Sequence, residues 1–109
     1  MTKVLKLFSG NEFLGGRHVA FVIRTEACEY LVQNPSSKVV LDFQDVCGVS
    51  HSFSDELLSP LSDLLGDRVC RHVEIVNCDE MVQKSLRSVA RLHNLHQPSF
   101  EEHRELCLA

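Results

Sequence analysis

Three side chains with chemical potential stand together at His51, Ser52 and Asp55. They are the residue types of a hydrolytic triad: a base, a nucleophilic hydroxyl and an orienting carboxylate. Such a triad works only when the base reaches the nucleophile and a third group holds the base in place. Adjacency in sequence does not supply that geometry, and no oxyanion-hole glycine pair accompanies the three. A small hydrolase or metal-dependent enzyme centred on His51 is therefore the lesser reading. The same residues have a structural use. Ser52 and Asp55 have the spacing of a capping box with Asp in place of Glu or Gln, in which Ser52 caps a helix, worth about 1 kcal/mol.

Two other clusters invite chemistry. His93, His96, His103 and Cys107 are metal-ligand types, but their spacing matches no zinc finger, so they read as a solvated tail and no metal is expected. Lys84, Arg87 and Arg91 form a basic stripe at helical spacing. It reads as a solvated face, with an acidic partner or nucleic-acid phosphates as the alternative. A nucleic-acid-associated regulator would need a broad basic face, and the net charge of the 109 residues is −4 with His neutral. No phosphate-binding loop motif is present, and no cofactor is expected. The five cysteines, 28, 47, 70, 78 and 107, are odd in number and form no Cys-x-x-Cys pair. They read as reduced thiols of a cytoplasmic protein, with Cys28, Cys70 and Cys78 as small buried hydrophobes.

The elements that would position these residues follow from periodicity. Lys3 to Phe8 alternates polar and apolar and predicts a first strand, with lysines suited to a sheet edge. Ser9 to Gly16 is a glycine-rich loop. From Arg17, a helix of about four turns would turn Val19, Val22, Ile23, Ala27, Tyr30 and Leu31 inward. A short strand over Val19 to Ile23, with Thr25 capping a shorter helix, fits the same run. Asn34 to Ser37 is a turn. Val39-Val40-Leu41 predicts a central strand covered on both faces. Ser52 to Gly66 predicts a helix with Phe53, Leu57, Leu61, Leu64 and Leu65 inward and a kink or restart at Ser59-Pro60. Val73 to Val76 is a further strand. Asp79 caps a helix over about 80–94. Ser99 and Glu102 are spaced to cap a short helix in the tail.

Strands alternating with helices predict a single small α/β domain over residues 1–95, with a mostly parallel or mixed sheet. A short helical tail would occupy 96–109. The start of the chain has no long apolar core and predicts no secretory leader. The longest apolar run, Val19 to Ile23, is far short of the ~20 residues of a membrane span.

Three segments carry a family resemblance: Val-Val-Leu-Asp-Phe at 39–43, His-Ser-Phe-Ser-Asp-Glu-Leu at 51–57, and Val-Glu-Ile-Val-Asn at 73–77. Over about residues 14 to 92 the chain resembles the STAS-like domain family of unknown function. That family is similar to the STAS domains of anti-sigma factor antagonists. Those are switched by a partner that is both ligand and serine kinase, a histidine-kinase-like ATPase. Their loop reads Asp-Ser-Ser/Thr-Gly, and its second hydroxyl residue takes the phosphate. Counting without gaps from Leu41-Asp42 puts Ser52 at that position, with Ser50 where the pattern has Asp. Phe53 replaces the glycine, and Asp55 and Glu56 follow. Those carboxylates would repel a phosphoserine of about −1.5 to −2 charge, although a helix N-terminus favours it.

The resemblance thus implies a non-enzymatic regulatory interaction module in bacterial-type signalling. Its docking surface would be Asp45, Gly48, His51, Phe53, Asp55 and Glu56, with Ser52 and Ser50 as candidate phosphoacceptors. The implied partner is a protein, with a homodimer also compatible, and no membrane.

Overall fold

The computed structural model describes residues 1–8 and 10–101. Its elements in chain order are β1 (Thr2–Lys6), β2 (Phe13–Leu14), α1 (Arg17–Gln33), β3 (Lys38–Asp42), β4 (Gly48–Val49) and α2 (His51–Leu65). A 3-10 turn (Gly66–Arg68), α3 (Val69–His72), β5 (Val73–Val76), α4 (Glu80–Leu92) and β6 (Ser99–Phe100) follow. Four strands form the main sheet in the order β1-β3-β5-β6, and every pairing in it is parallel. β2 and β4 pair separately as a two-residue parallel ladder.

α2 packs between α1 and α4. The period of two along each strand decides what lies beneath the helices. Leu5, Val39, Leu41, Val73 and Ile75 point inward and are buried, as are Leu7 and Phe43 just beyond their strands. Phe43 and Phe53 are the largest fully buried side chains, each worth about 1.5–3 kcal/mol relative to exposure. The opposite face of the sheet is open. Val4 is 55 % exposed there, Val40 and Val76 are half-buried, and Lys38 pairs with Glu74 at 3.3 Å. The expectation that Val39 to Leu41 is covered on both faces therefore fails at Val40.

Other departures have local causes. α2 runs unbroken through Pro60. The missing N–H and the ring would favour a kink, but Leu57, Leu58, Leu61 and Leu65 are buried on both sides of it and hold one axis. Val22 and Leu64, expected inward, are exposed: Leu64 lies at the border of the buried stripe of α2, and Val22 lies across α1 from its buried residues Ala20, Ala27 and Leu31. The run Val19 to Ile23 is helical throughout, so the strand alternative is excluded. Gly66 ends α2 with φ of +60°, a conformation glycine adopts readily.

Residues 96–101 also differ from the expected helical tail. Ser99 pairs with Glu74 and Phe100 with Ile75, and the Glu101 N–H donates to the Ile75 carbonyl at 2.9 Å. β5 offers an unpaired edge, and strand pairing satisfies it. The Glu102 half of the expected capping box, with His103 and Cys107, lies outside the described residues. Of the cysteines, Cys78 is buried and its thiol is pushed up to about 12 by burial. Cys28 is partly buried and also raised by burial, while Cys70 is exposed, contrary to expectation.

Candidate functional site

The site begins at Asp42, the last residue of β3. Its buried carboxylate accepts from the Asn77 side chain at 2.9 Å and from the Gln44 N–H at 3.0 Å, and it pairs with Lys6 at 3.5 Å. Burial opposes its charge, but these donors together hold the carboxyl below its usual range. One side chain thus ties the carboxyl ends of β1, β3 and β5 to the loop that leaves β3.

That loop is stitched to the segment before α1. Asp45 turns the chain with φ of +69°, a left-handed value that Asp tolerates better than most residues. The Cys47 and Gly48 N–H groups donate to the Glu12 carbonyl at 2.7 and 3.2 Å. Gly48 leaves room for the Phe13 ring, since a Cβ there would stand 2.8 Å from Phe13 Cδ1. The Ser50 N–H donates to the Leu14 carbonyl at 3.0 Å.

Ser50, not Ser52, caps α2. Its hydroxyl accepts from the Phe53 N–H at 3.0 Å and donates to the Gly15 carbonyl at 2.8 Å. The expected Ser52–Asp55 capping box therefore does not form, and a single cap stands two residues earlier. The pairing of β4 with β2 aligns Ser50 beside Gly15 and starts the helix earlier. Ser52 lies in the first turn, partly exposed, and its hydroxyl makes no hydrogen bond among the described residues. Phe53 is fully buried and anchors the turn, so it is a core residue and no contact surface.

Asp55 and Glu56 face α1. Asp55 accepts from Ser59 at 2.9 Å and pairs with Arg17 at 3.3 Å. The Ser59 bond leads in lowering its carboxyl pKa, burial opposes, and Arg17 adds to the lowering. Glu56 pairs with Arg17 at 3.4 Å and with Arg24 at 3.3 Å. The basic face of α1 thus neutralises both carboxylates.

His51 opens α2 and points elsewhere. Its Nε2 lies 3.0 Å from Nε2 of His93, the C-cap of α4, with the rings edge to face at 72°. His51, Ser52 and Asp55 make no hydrogen bond to one another among the described residues, so the triad suggested by their types is not assembled. Two shallow depressions flank His51, of about 340 and 370 Å³. Lys84 lines one and Arg91 the other. Arg87 leaves the expected basic stripe. It stacks on the Phe100 ring at 4.3 Å and bonds Gln83 at 3.4 Å, so only Lys84 and Arg91 face outward.

Comparison with known families adds one decisive finding. A family model described as a STAS-like domain of unknown function (DUF4325) matches residues 25–83, more than half of the chain. The chain belongs to this family. No curated protein matches it, and no solved structure does. The matched stretch of the STAS-like domain starts within α1 and ends within α4. It holds Asp42, the loop, Ser50, Ser52 and the paired carboxylates, and it excludes Arg17 and His93. The all-parallel sheet and flanking helices agree with a STAS-like fold. Among the described residues no helix is long and apolar enough to cross a membrane.

Residues that sequence reasoning did not single out for the site are Arg17, Arg24, Phe13 and Gly15. The two arginines are seven apart on the outward side of a predicted helix, which was the available signal for a face that meets acidic residues. Phe13 and Gly15 gave none, because a two-residue strand has no readable period.

Proposed function

We propose that this STAS-like domain is a non-enzymatic regulatory interaction module of the cytoplasm, switched by phosphorylation of Ser52. The observation that carries the reading is the contrast between two hydroxyls. Ser50 is committed to the Phe53 N–H and the Gly15 carbonyl, whereas Ser52 is partly exposed and unbonded among the described residues. Of the two candidate acceptors, Ser52 is the one a kinase can reach without dismantling the cap.

Electrostatics support the same residue. Asp55 and Glu56 would repel a phosphate if free, but Arg17 pairs with both and Arg24 with Glu56. The first turn of a 15-residue helix favours an anion through its dipole. The added charge would alter a partner's fit to Asp45, His51 and the outer edge of α2. The proposed partner is a histidine-kinase-like ATPase acting as the serine kinase, with ATP bound by that partner.

The test is incubation of the full chain with such an ATPase and ATP, followed by fragmentation mass spectrometry. Phosphate on Ser52, abolished in Ser52→Ala and retained in Thr25→Ala, is the expected outcome. Phosphate on Ser50 alone, or none with any ATPase that binds the chain, would remove the switch.

A further inference from the structure

We propose that His51 and His93 form a two-histidine site for a divalent transition-metal ion, zinc, nickel or copper, whose remaining positions are open to water or to another molecule's side chain. The residues lie 42 apart in sequence, and His93 falls outside the stretch matched by the family model. The inference does not rest on the phosphoacceptor reading.

The separation of the two rings is one that a single ion can span. Both imidazoles present Nε2, and the two nitrogens are 3.0 Å apart. Nitrogens this close must share either a proton or a cation. Metal–nitrogen bonds of about 2.05 Å spanning that gap subtend roughly 94° at the metal. That is the cis angle of tetragonal copper or nickel. Opening to a tetrahedral zinc angle needs a further separation of only about 0.3 Å.

Both residues stand at helix ends whose backbone is fixed. His51 follows the Ser50 cap. His93 is fixed by a C-terminal motif in which Asn94 takes a left-handed φ of +58°. Its N–H donates to the Arg91 carbonyl at 3.2 Å, and the Leu95 N–H donates to the Ala90 carbonyl at 2.7 Å. These are the paired bonds of a Schellman motif, with Asn in the place glycine commonly takes. Little backbone freedom is therefore lost when a metal binds.

The surroundings set how many ligands the chain provides. Asp55 Oδ1 is 4.0 Å from His93 Nε2, held off by Ser59 and Arg17, and contributes charge without a ligand bond. Lys84 and Arg91 oppose a cation, but both are exposed and hydrated. No group of three or more potential ligands gathers among the described residues, so these residues supply two, and the depressions beside His51 leave the other positions reachable.

The test is isothermal titration of the untagged full chain with nickel, copper and zinc chlorides. His51→Ala and His93→Ala are each expected to bind at least one of these ions about tenfold or more weakly than the parent, as loss of one of two ligands requires. His96→Ala should bind as the parent does. On the parent chain, the imidazole NMR signals of His51 and His93 should move together as metal is added, ahead of those of His18, His72 and His96. Equal affinities in all variants, or movement of other histidines first, would overturn the site. So would no binding up to about millimolar free metal.

Discussion

Toward α1, helix α2 presents Asp55 and Glu56; Arg17 closes over both at 3.3 and 3.4 Å, and Arg24 joins Glu56 at 3.3 Å. Toward α4 it presents His51 and Ser54, beside depressions that no side chain among the described residues fills. One flank is sealed by complementary charge and the other is left open, although both hang on the same buried row of Phe53, Leu57 and Leu61. The ion pairs and the proposed metal-binding histidines thus fall on opposite sides of one helix. The sealed flank settles how the first turn stands, and the open flank is where another group can be received.

The largest loss is expected at the anchor that both flanks share. Phe53→Ala empties a fully buried site at the root of both flanks and should cost about 3–5 kcal/mol, read as a lowered midpoint in urea unfolding. Next comes the loop upstream of both. Asp42→Asn weakens a buried carboxylate that serves three donors and should cost about 1–3 kcal/mol at pH 7. The sign with pH follows from its lowered carboxyl pKa. The charged form stabilises the fold above the unfolded value of about 3.9, and this contribution fades as pH falls through the lower folded value. Stability curves of the parent and Asp42→Asn should therefore converge below about pH 4, measured by thermal melts across acid buffers.

The two hydroxyls sharpen the comparison further. Ser50→Ala removes the cap and should cost about 1 kcal/mol, whereas Ser52→Ala should stay within about 0.5 kcal/mol. Equal costs in denaturant melts would mean that the cap is misassigned. On the sealed flank, Arg24→Ala should cost about 0.2–1 kcal/mol, less in high salt, because Arg24 Nε is buried without a partner among the described residues and offsets part of the gain. On the open flank, His51→Ala should change metal-free stability by less than about 0.5 kcal/mol.

Elements with a full period were legible in the sequence. The Leu and Val spacing of α1, α2 and α4, the runs at β3 and β5, and the Asp79 cap all have enough residues to express 3.6 or 2. Those that were not legible are short or depend on partners far along the chain. β2, β4 and β6 have two residues each, and their strand state is set by what lies opposite. Ser50 and Ser52 illustrate the same limit. Both suit a cap by type, and only the Gly15 carbonyl, 35 positions away, decides between them. His93 looked like part of a C-terminal cluster because sequence groups by proximity, whereas the fold hands it to His51.

The open face of the sheet has a consequence for association. Val4 and Val40 sit side by side across β1 and β3, an apolar pair that a second sheet could stack upon. They lie between two ion pairs, Lys6 with Asp42 and Lys38 with Glu74. Stacking would strip water from these charges, at an effective penalty of several kcal/mol per ion before any attraction is counted. The brackets of charge keep that face wet, so crowding of one copy on another is discouraged there while α2 stays free to be approached.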